Sequence, residues 1–356
     1  MSAVNYEQEL LDLLDIVITE KGSDLHLSAG LNPIIRVTGS LIPLVKKPAL
    51  TEEDTKGFAA ALLNKEQEEV FARKNEIDFS YALKDGSRFR GNCFIQKGTV
   101  AIALRYIPNV IHTFEELNLP PVLQTFAERP QGFFLCVGPT GHGKSTTLAS
   151  MVQFINRTRA EHIVTVEDPI EFIYTPEKAL IEQREVRVDT EDFHIALNSV
   201  FRQDVDVILV GEMRNADTIA TAVTAAETGH LVFSTLHTNN AAQSIDRIID
   251  AFPEGQQDQI RLQLSSSLAG IFSQRLVPRV SGGFIPAYEL LINNAAVSNL
   301  IRERRTHEIQ TVIETGLEQG MIDMNRSLAE LVQKGEITVE NAFAHSINPK
   351  GLERLM

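Results

Sequence analysis

The sequence predicts an α/β protein built on a parallel sheet, preceded by a smaller α+β module. Three observations predict it. Beyond residue 130, short apolar runs alternate with stretches of helical spacing, as in strands buried on both faces and joined by crossover helices. The run Gly138-Pro139-Thr140-Gly141-His142-Gly143-Lys144-Ser145-Thr146 lies between an apolar run and a helical stretch, and fits the G-x-x-x-x-G-K-[ST] phosphate loop in full. Before residue 108 the pattern mixes helical spacing with half-buried alternation and holds no phosphate-binding element.

Taken in order, Leu10, Leu11, Leu13, Leu14, Ile16 and Val17 suit the apolar face of a first helix. Asp24-Leu25-His26-Leu27 and the stretch Ile34 to Val37 alternate polar with apolar and read as half-buried strands. Glu52 to Ala72 reads as one or two helices. Asp78 to Ala82 and Arg88 to Ile95 make a hairpin around Lys84-Asp85-Gly86-Ser87, and Val100 to Ile107 adds a strand. Residues 1–107 thus form a domain on a small antiparallel sheet. Residues 108–130, with Pro120-Pro121, read as a linker carrying one short helix, and 131–356 as the second domain. Its strands are expected at Phe133–Val137, His162–Glu167, Val207–Val210 and His230–Thr235. From Asp258 the chain reads mostly helical, apart from a Gly282-Gly283 turn and a strand near Phe284–Leu291.

Composition excludes several classes. Hydrophobic content of 43% and charged content of 22% are ordinary for a folded soluble protein. The two cysteines, Cys93 and Cys136, lie far apart and read as reduced thiols rather than a disulfide or metal framework. No apolar stretch approaches the ~18–20 residues of a membrane span. Met1-Ser2-Ala3 leads into an acidic segment, unlike a secretory signal. A net charge of −14 argues against broad adhesion to nucleic acid, which needs clustered Lys and Arg.

Each predicted strand ends in polar residues, as expected of a ligand site at the carboxyl ends of a parallel sheet. Gly138, Gly141 and Gly143 let the backbone curl so that N–H groups, with Thr140 and Thr146, face an anion. Lys144 would reach the β- and γ-phosphates and the Ser145 hydroxyl would hold Mg²⁺. Strand, loop and helix in that order place the phosphate at a helix N-terminus. Glu212, after Val207–Gly211, and Glu167, followed by Asp168 and Glu171, offer two acids to divide water activation and metal positioning. Which does which is open from the sequence. His230 and His237 bracket the strand Leu231–Thr235. A histidine there would sense the γ-phosphate, or serve structure alone.

Gly138–Thr146, Thr165–Glu171, Val207–Arg214 and Gly229–Thr238 together resemble the Walker A, Asp box, Walker B and His box of the secretion-ATPase superfamily, and Ala225–His230 is similar to its wording. Within it the chain is similar to the type IV pilus retraction ATPases. Gly22–Gly30 matches the N-terminal signature of that branch, and Ala296-Val297-Ser298-Asn299-Leu300-Ile301-Arg302-Glu303 resembles its retraction motif. Assembly and type II secretion relatives usually carry a further N-terminal domain and a four-cysteine metal module, for which two cysteines and the length upstream leave no place. The chain departs from the family pattern in His142 for Ser, Asp204-Val205-Asp206 for Asp-Pro-Asp, Asn215 for Asp and Ser298 for Arg.

The resemblance implies a RecA-like P-loop ATPase core with a PAS-like N-terminal domain, using ATP and Mg²⁺. It implies a homo-hexamer, with ATP between N- and C-terminal domains and an arginine supplied by the moving N-terminal domain. Arg88, Arg90 and Arg105 are the candidates, and Arg88 and Arg90, two apart, share one face of their strand. It further implies a cytoplasmic motor, peripheral at the inner membrane, that powers pilus retraction with the pilus machinery and a membrane platform protein, without direct nucleic-acid contact. Arg302, Arg304 and Arg305 form a basic run whose role the sequence leaves open. The alternatives are an assembly or secretion motor, a RecA-like nucleic-acid translocase, and an accessory subunit that binds ATP without hydrolysing it.

Overall fold

Apolar spacing builds the first element, α1 (Tyr6–Thr19), whose Leu10, Leu13, Leu14 and Val17 are buried and whose Asn5 side chain caps the first turn. The computed structural model describes residues 5–37, 39–107 and 110–356. The reading of Met1-Ser2-Ala3 and the head of the expected linker, Pro108 and Asn109, lie outside the described residues. Contacts divide the chain into two units, 1–110 and 111–356.

In the first unit α1 is followed by β1 (Asp24–Ser28), β2 (Ile34–Val37), β3 (Ser40–Pro43), α2 (Glu52–Leu62), α3 (Lys65–Lys74), β4 (Glu76–Ala82), β5 (Arg88–Gln96) and β6 (Thr99–Ile107). The Glu52–Ala72 stretch is two helices because Asn64 starts a new one, its side chain and that of Gln67 forming a reciprocal capping box. Among the described residues the strands form one antiparallel sheet in the order β3-β2-β1-β6-β5-β4. Leu10, Leu14 and Phe58 from the helices pack with Leu25, Leu27, Phe89, Cys93, Ile102 and Leu104. Along β5, Phe89, Gly91 and Cys93 are buried, so alternation turns Arg88, Arg90 and Asn92 to the other face.

The second unit contains α4 (Val122–Ala127), β7 (Gly132–Val137), α5 (Lys144–Thr158), β8 (His162–Glu167), β9 (Leu180–Glu185), α6 (Phe193–Val200), β10 (Val207–Val210), α7 (Ala216–Glu227), β11 (Leu231–Leu236), α8 (Ala241–Asp250), α9 (Glu254–Ser267), β12 (Leu268–Pro278) and β13 (Phe284–Ile292). It closes with α10 (Ala295–Arg302), α11 (Ile309–Thr315), α12 (Met324–Gln333), α13 (Val339–His345) and α14 (Pro349–Glu353). The sheet order is β13-β12-β7-β11-β10-β8-β9, parallel except for the β12–β13 hairpin. Alternation along β7 sends Phe133, Leu135 and Val137 into one core and Phe134 and Cys136 into the other, so both faces are covered. The helices α12–α14 pack Leu328, Ala342 and Leu352 against Val277 and Ile285 of the hairpin.

Two expectations need correction. Residues 111–130 are no free linker. Phe114, Leu119, Leu123 and Phe126 are buried in the second unit's core, with the Phe126 ring 4.8 Å from that of Phe134. Pro121 stands at the N-cap of α4, in a segment whose aromatic residues have apolar surface to bury. The stretch after Asp258, read as mostly helical with one strand near Phe284–Leu291, also contains β12. Helix α9 runs straight into that strand at Leu268 without a Gly or Pro between them. Leu268, Ile271 and Phe272 are fully or nearly fully buried between β7 and β13, so tertiary burial overrides the helical reading.

Candidate nucleotide site

The phosphate loop follows β7 and opens α5, where Gly143 is the N-cap and no side chain caps the turn. Its first-turn N–H groups therefore point at whatever anion sits there. Gly138 has φ +146°, and a Cβ at this position would come 2.3 Å from the Gln274 carbonyl oxygen. Gly141 has φ +80°, and no atom beyond its chain neighbours lies within 4 Å of where its Cβ would stand. The loop is thus pressed against β12 at its base and uncovered at its tip, a cradle that suits a phosphate.

Lys144 is buried, and its ammonium donates to the carbonyls of Gly138 and Pro139, both at 2.9 Å. Burial lowers its pKa, opposed by the nearby charges of Cys136, Glu171 and Glu212. Its Nζ also lies 3.4 Å from Nδ1 of His237, which is 3.3 Å from the Thr140 hydroxyl. An ammonium can only donate, so Nδ1 accepts and the imidazole proton sits on Nε2. That nitrogen faces a carboxylate oxygen of Glu212 at 3.9 Å. Burial, and then Lys144, hold the His237 pKa below its ordinary value, so the ring is neutral at pH 7. Glu212 is also ion-paired with Arg214.

Glu167 lies at the end of β8 and is buried. Thr165 Oγ1 donates to its Oε1 at 2.7 Å, and burial raises its carboxyl to about 7. The strand ends are stitched together: Gly211 N donates to Val166 O at 2.8 Å, and Thr235 Oγ1 donates to Gly211 O at 2.6 Å. Lys144, Glu167, Glu212 and His237 accordingly stand at the carboxyl ends of β7, β8, β10 and β11, with Thr140 in the intervening loop.

Residues 102–311 match the family described as type II/IV secretion system protein. The chain belongs to that family. The chain is 43% identical to the type IV pilus retraction ATPase PilT of Pseudomonas aeruginosa, over 94% of this chain and 97% of that one. It is 44% identical to a twitching motility protein of Neisseria gonorrhoeae, over 90% of this chain and 86% of that one. A crystal structure of the pilus retraction motor PilT with bound ADP superposes with a TM-score of 0.91 at 44% identity, covering 97% and 98% of the two chains.

As a member of the type II/IV secretion system family, the chain binds nucleotide, and the residues seen here fit that role. His230 is not brought to the loop. It precedes β11, whose six residues separate it from the end that carries His237, about 20 Å in extended chain. Its Nδ1 instead meets Ala225 O at 3.0 Å, and its ring stands edge-on to Phe201. The polar ends of the strand looked alike in the sequence, but only the carboxyl end faces the ligand crevice.

The three candidate arginines lie on the first unit's sheet, Arg90 paired directly with Arg105 across β5 and β6. Arg105 is tied down, its Nε donating to the buried Asp24 at 2.9 Å. In the retraction-like segment, α10 buries Val297, Leu300 and Ile301. Ser298 Oγ lies 2.8 Å from Ser265 O and 3.2 Å from Asn293 Oδ1, holding the helix to the end of α9.

Two supports of the loop escaped sequence reading. Gln274 on β12 accepts from Thr147 Oγ1 at 2.6 Å and donates from Nε2 to His142 O at 2.9 Å. His142 Nδ1 accepts from Leu276 N at 2.9 Å, so the residue that replaces the family's serine pins the loop to β12. The available signal was the apolar run Leu268–Pro278, interrupted by Ser273-Gln274-Arg275.

Proposed function

We propose that the chain is an ATP-hydrolysing motor that powers pilus retraction, acting as a ring of six copies at the inner membrane. The observation that carries this reading is the His237 ring, placed against Thr140 and Lys144 of the phosphate loop and facing Glu212. One group thereby touches the loop that binds the γ-phosphate and the acid that faces the attacking water. The likeness to the retraction ATPase over nearly the whole chain supplies the mechanical task.

Lys144 leaves its two loop carbonyls for the phosphate oxygens, which are stronger acceptors. Glu212, mostly buried but with 19% of its side chain exposed, has access to water and orients it for attack. Glu167 is shielded, and its ionisation near neutral pH sets the charge behind the site. Mg²⁺ would be held by the Ser145 hydroxyl on the loop side and the Glu212 carboxylate on the other, and would neutralise charge on the β- and γ-oxygens. Of the arginines, Arg88 and Arg90 are assigned the trans contact with a neighbouring copy's phosphates. Arg105 is assigned to the sheet, through Asp24.

The test is Mg²⁺-dependent ATP turnover with native mass for wild type, Lys144→Ala, Arg88→Ala and Arg90→Ala. The reading expects turnover in a six-copy species, lost in Lys144→Ala, and lost in at least one arginine variant that still binds ADP. Turnover by a monomer indifferent to both arginines would sink the ring mechanism.

A further inference from the structure

The loop after His237 is anchored from one face of the β12–β13 hairpin, while the phosphate loop is anchored from the other. The Gln274 side chain reaches His142 and Thr147, and the side chains of Gln274 and Leu276 both stand against Gly143, so strand alternation gives Ser273 and Arg275 the opposite face. Ser273 pairs directly with Glu289 across the hairpin, which puts Glu289 on that same face. All three bind the segment that follows His237. Ser273 Oγ donates to Asn239 O at 3.0 Å, Arg275 Nη2 to Asn239 Oδ1 at 3.4 Å, and Ala241 N donates to Glu289 Oε1 at 2.8 Å.

Glu289 is 1% exposed, and burial raises its carboxyl to about 7. Its Oε2 and the Arg275 Nε are both buried without a hydrogen-bond partner among the described residues, although the two side chains share a face. A buried acid retained for charge pairing alone would close on that guanidinium. Here Glu289 spends its one bond on a backbone amide in the first turn of α8. The remaining bonds of the segment are local: Asn240 caps α8 and Thr238 meets Ser244 at 2.6 Å. Arg275 also donates to His345 O, the last residue of α13, at 2.9 Å. The anchor therefore reaches the C-terminal helices.

We propose that Glu289 is a positioning residue for ATP turnover. By accepting the Ala241 amide while Ser273 and Arg275 hold Asn239, it fixes the segment Thr238–Asn240 and so keeps the His237 ring against Lys144. The proposal rests on the reading of this site as an ATPase with His237 as its phosphate contact.

The experiment measures kcat and KM for ATP, ADP affinity and thermal midpoint in wild type and in Glu289→Ala, Glu289→Gln, Ser273→Ala and His237→Ala. It adds the double variants of Glu289→Ala and Ser273→Ala with His237→Ala. Displacing His237 by an ångström is expected to lower kcat on the order of tenfold to a hundredfold in Glu289→Ala, with KM and ADP affinity within about twofold of wild type. Glu289→Gln keeps an acceptor for Ala241 N and is expected to stay within about threefold in kcat. In the His237→Ala background neither Glu289→Ala nor Ser273→Ala should lower kcat further.

Additive losses, or a kcat loss in Glu289→Gln equal to that in Glu289→Ala, would overturn the proposal and leave the ATPase reading intact. If Glu289→Ala does not fold, Ser273→Ala carries the same comparison, and its additivity with His237→Ala would likewise overturn it. Wild-type turnover unaffected by His237→Ala would overturn the parent assignment of His237, and this one with it.

Discussion

Thr147 and Gln274 stand 127 positions apart, and the Thr147 hydroxyl donates to the Gln274 side-chain oxygen at 2.6 Å, in a buried setting. The same amide donates to His142 O, so one side chain holds the phosphate loop from both sides of Gly143 and Lys144. Gln274→Ala leaves the buried Thr147 hydroxyl without its partner, which costs about 1–3 kcal/mol, and releases the part-buried His142 carbonyl. The variant is expected to unfold at lower temperature and to bind ADP more weakly, while kcat at saturating ATP changes little. Calorimetry with and without ADP measures both. An unchanged ADP affinity would show that the loop holds its shape without Gln274.

The loop glycines should differ in a predictable order. At Gly138 a Cβ meets a backbone oxygen at 2.3 Å and no rotamer can relieve it, so Gly138→Ala is expected to abolish nucleotide binding. At Gly141 nothing crowds the added atom, and only the positive φ is penalised, by roughly 1–2 kcal/mol. Gly141→Ala should therefore still bind ADP, several-fold more weakly. Equal losses in a fluorescent-ADP titration would mean that sterics against β12 do not shape the loop.

What the sequence showed and what it hid have the same physical origin. The strands β8 and β10 are found at the residues read for them, and the loop, Glu167, Glu212 and His237 are adjacent, because each follows an apolar run directly in the chain. Local order carries that information. Gln274 reaches the phosphate loop across 127 positions, Ser273 and Glu289 reach Asn239 and Ala241 across 34 and 48, and no local pattern announces partners so far away. His230 shows the converse. It and His237 bracket one strand with equal plausibility in sequence, and only the strand's direction in the sheet separates them. Asn215, read as a departure from the family's Asp, supplies the cap of α7 by accepting from Thr218 N at 2.9 Å, a task either residue performs.

The two acids should separate kinetically. Glu212 faces His237 and is reachable by water, so Glu212→Gln is expected to lower kcat about a hundredfold or more while ADP binding persists. Glu167→Gln removes a carboxyl that ionises near pH 7 behind the site. Its expected signature is a smaller loss together with disappearance of the kcat inflection near that pH. Steady-state rates from pH 6 to 9 distinguish them. A Glu212→Gln enzyme at near wild-type rate would transfer the role of orienting water to Glu167.

Glu167 and Glu289 also make stability fall with rising pH. Burial raises each carboxyl from 4.5 to about 7. Between those values the unfolded chain has released the proton while the folded chain still holds it. The folded state therefore binds more protons, and unfolding free energy decreases as pH rises through that window. Below about 4.5 the contribution is fully present, and above about 7 it is lost and stays lost. Replacing either acid by Gln removes the titration, so each variant's stability relative to wild type should rise between pH 5 and pH 7.5 and then level off. The two residues sit on β8 and β13, five strand spacings apart, about 24 Å, so their slopes should add in the double variant. Denaturant unfolding across that range reads the slope independently of any constant offset from the new amide. A difference that stays flat from pH 5 to pH 8 would show that neither carboxyl is raised in the folded protein.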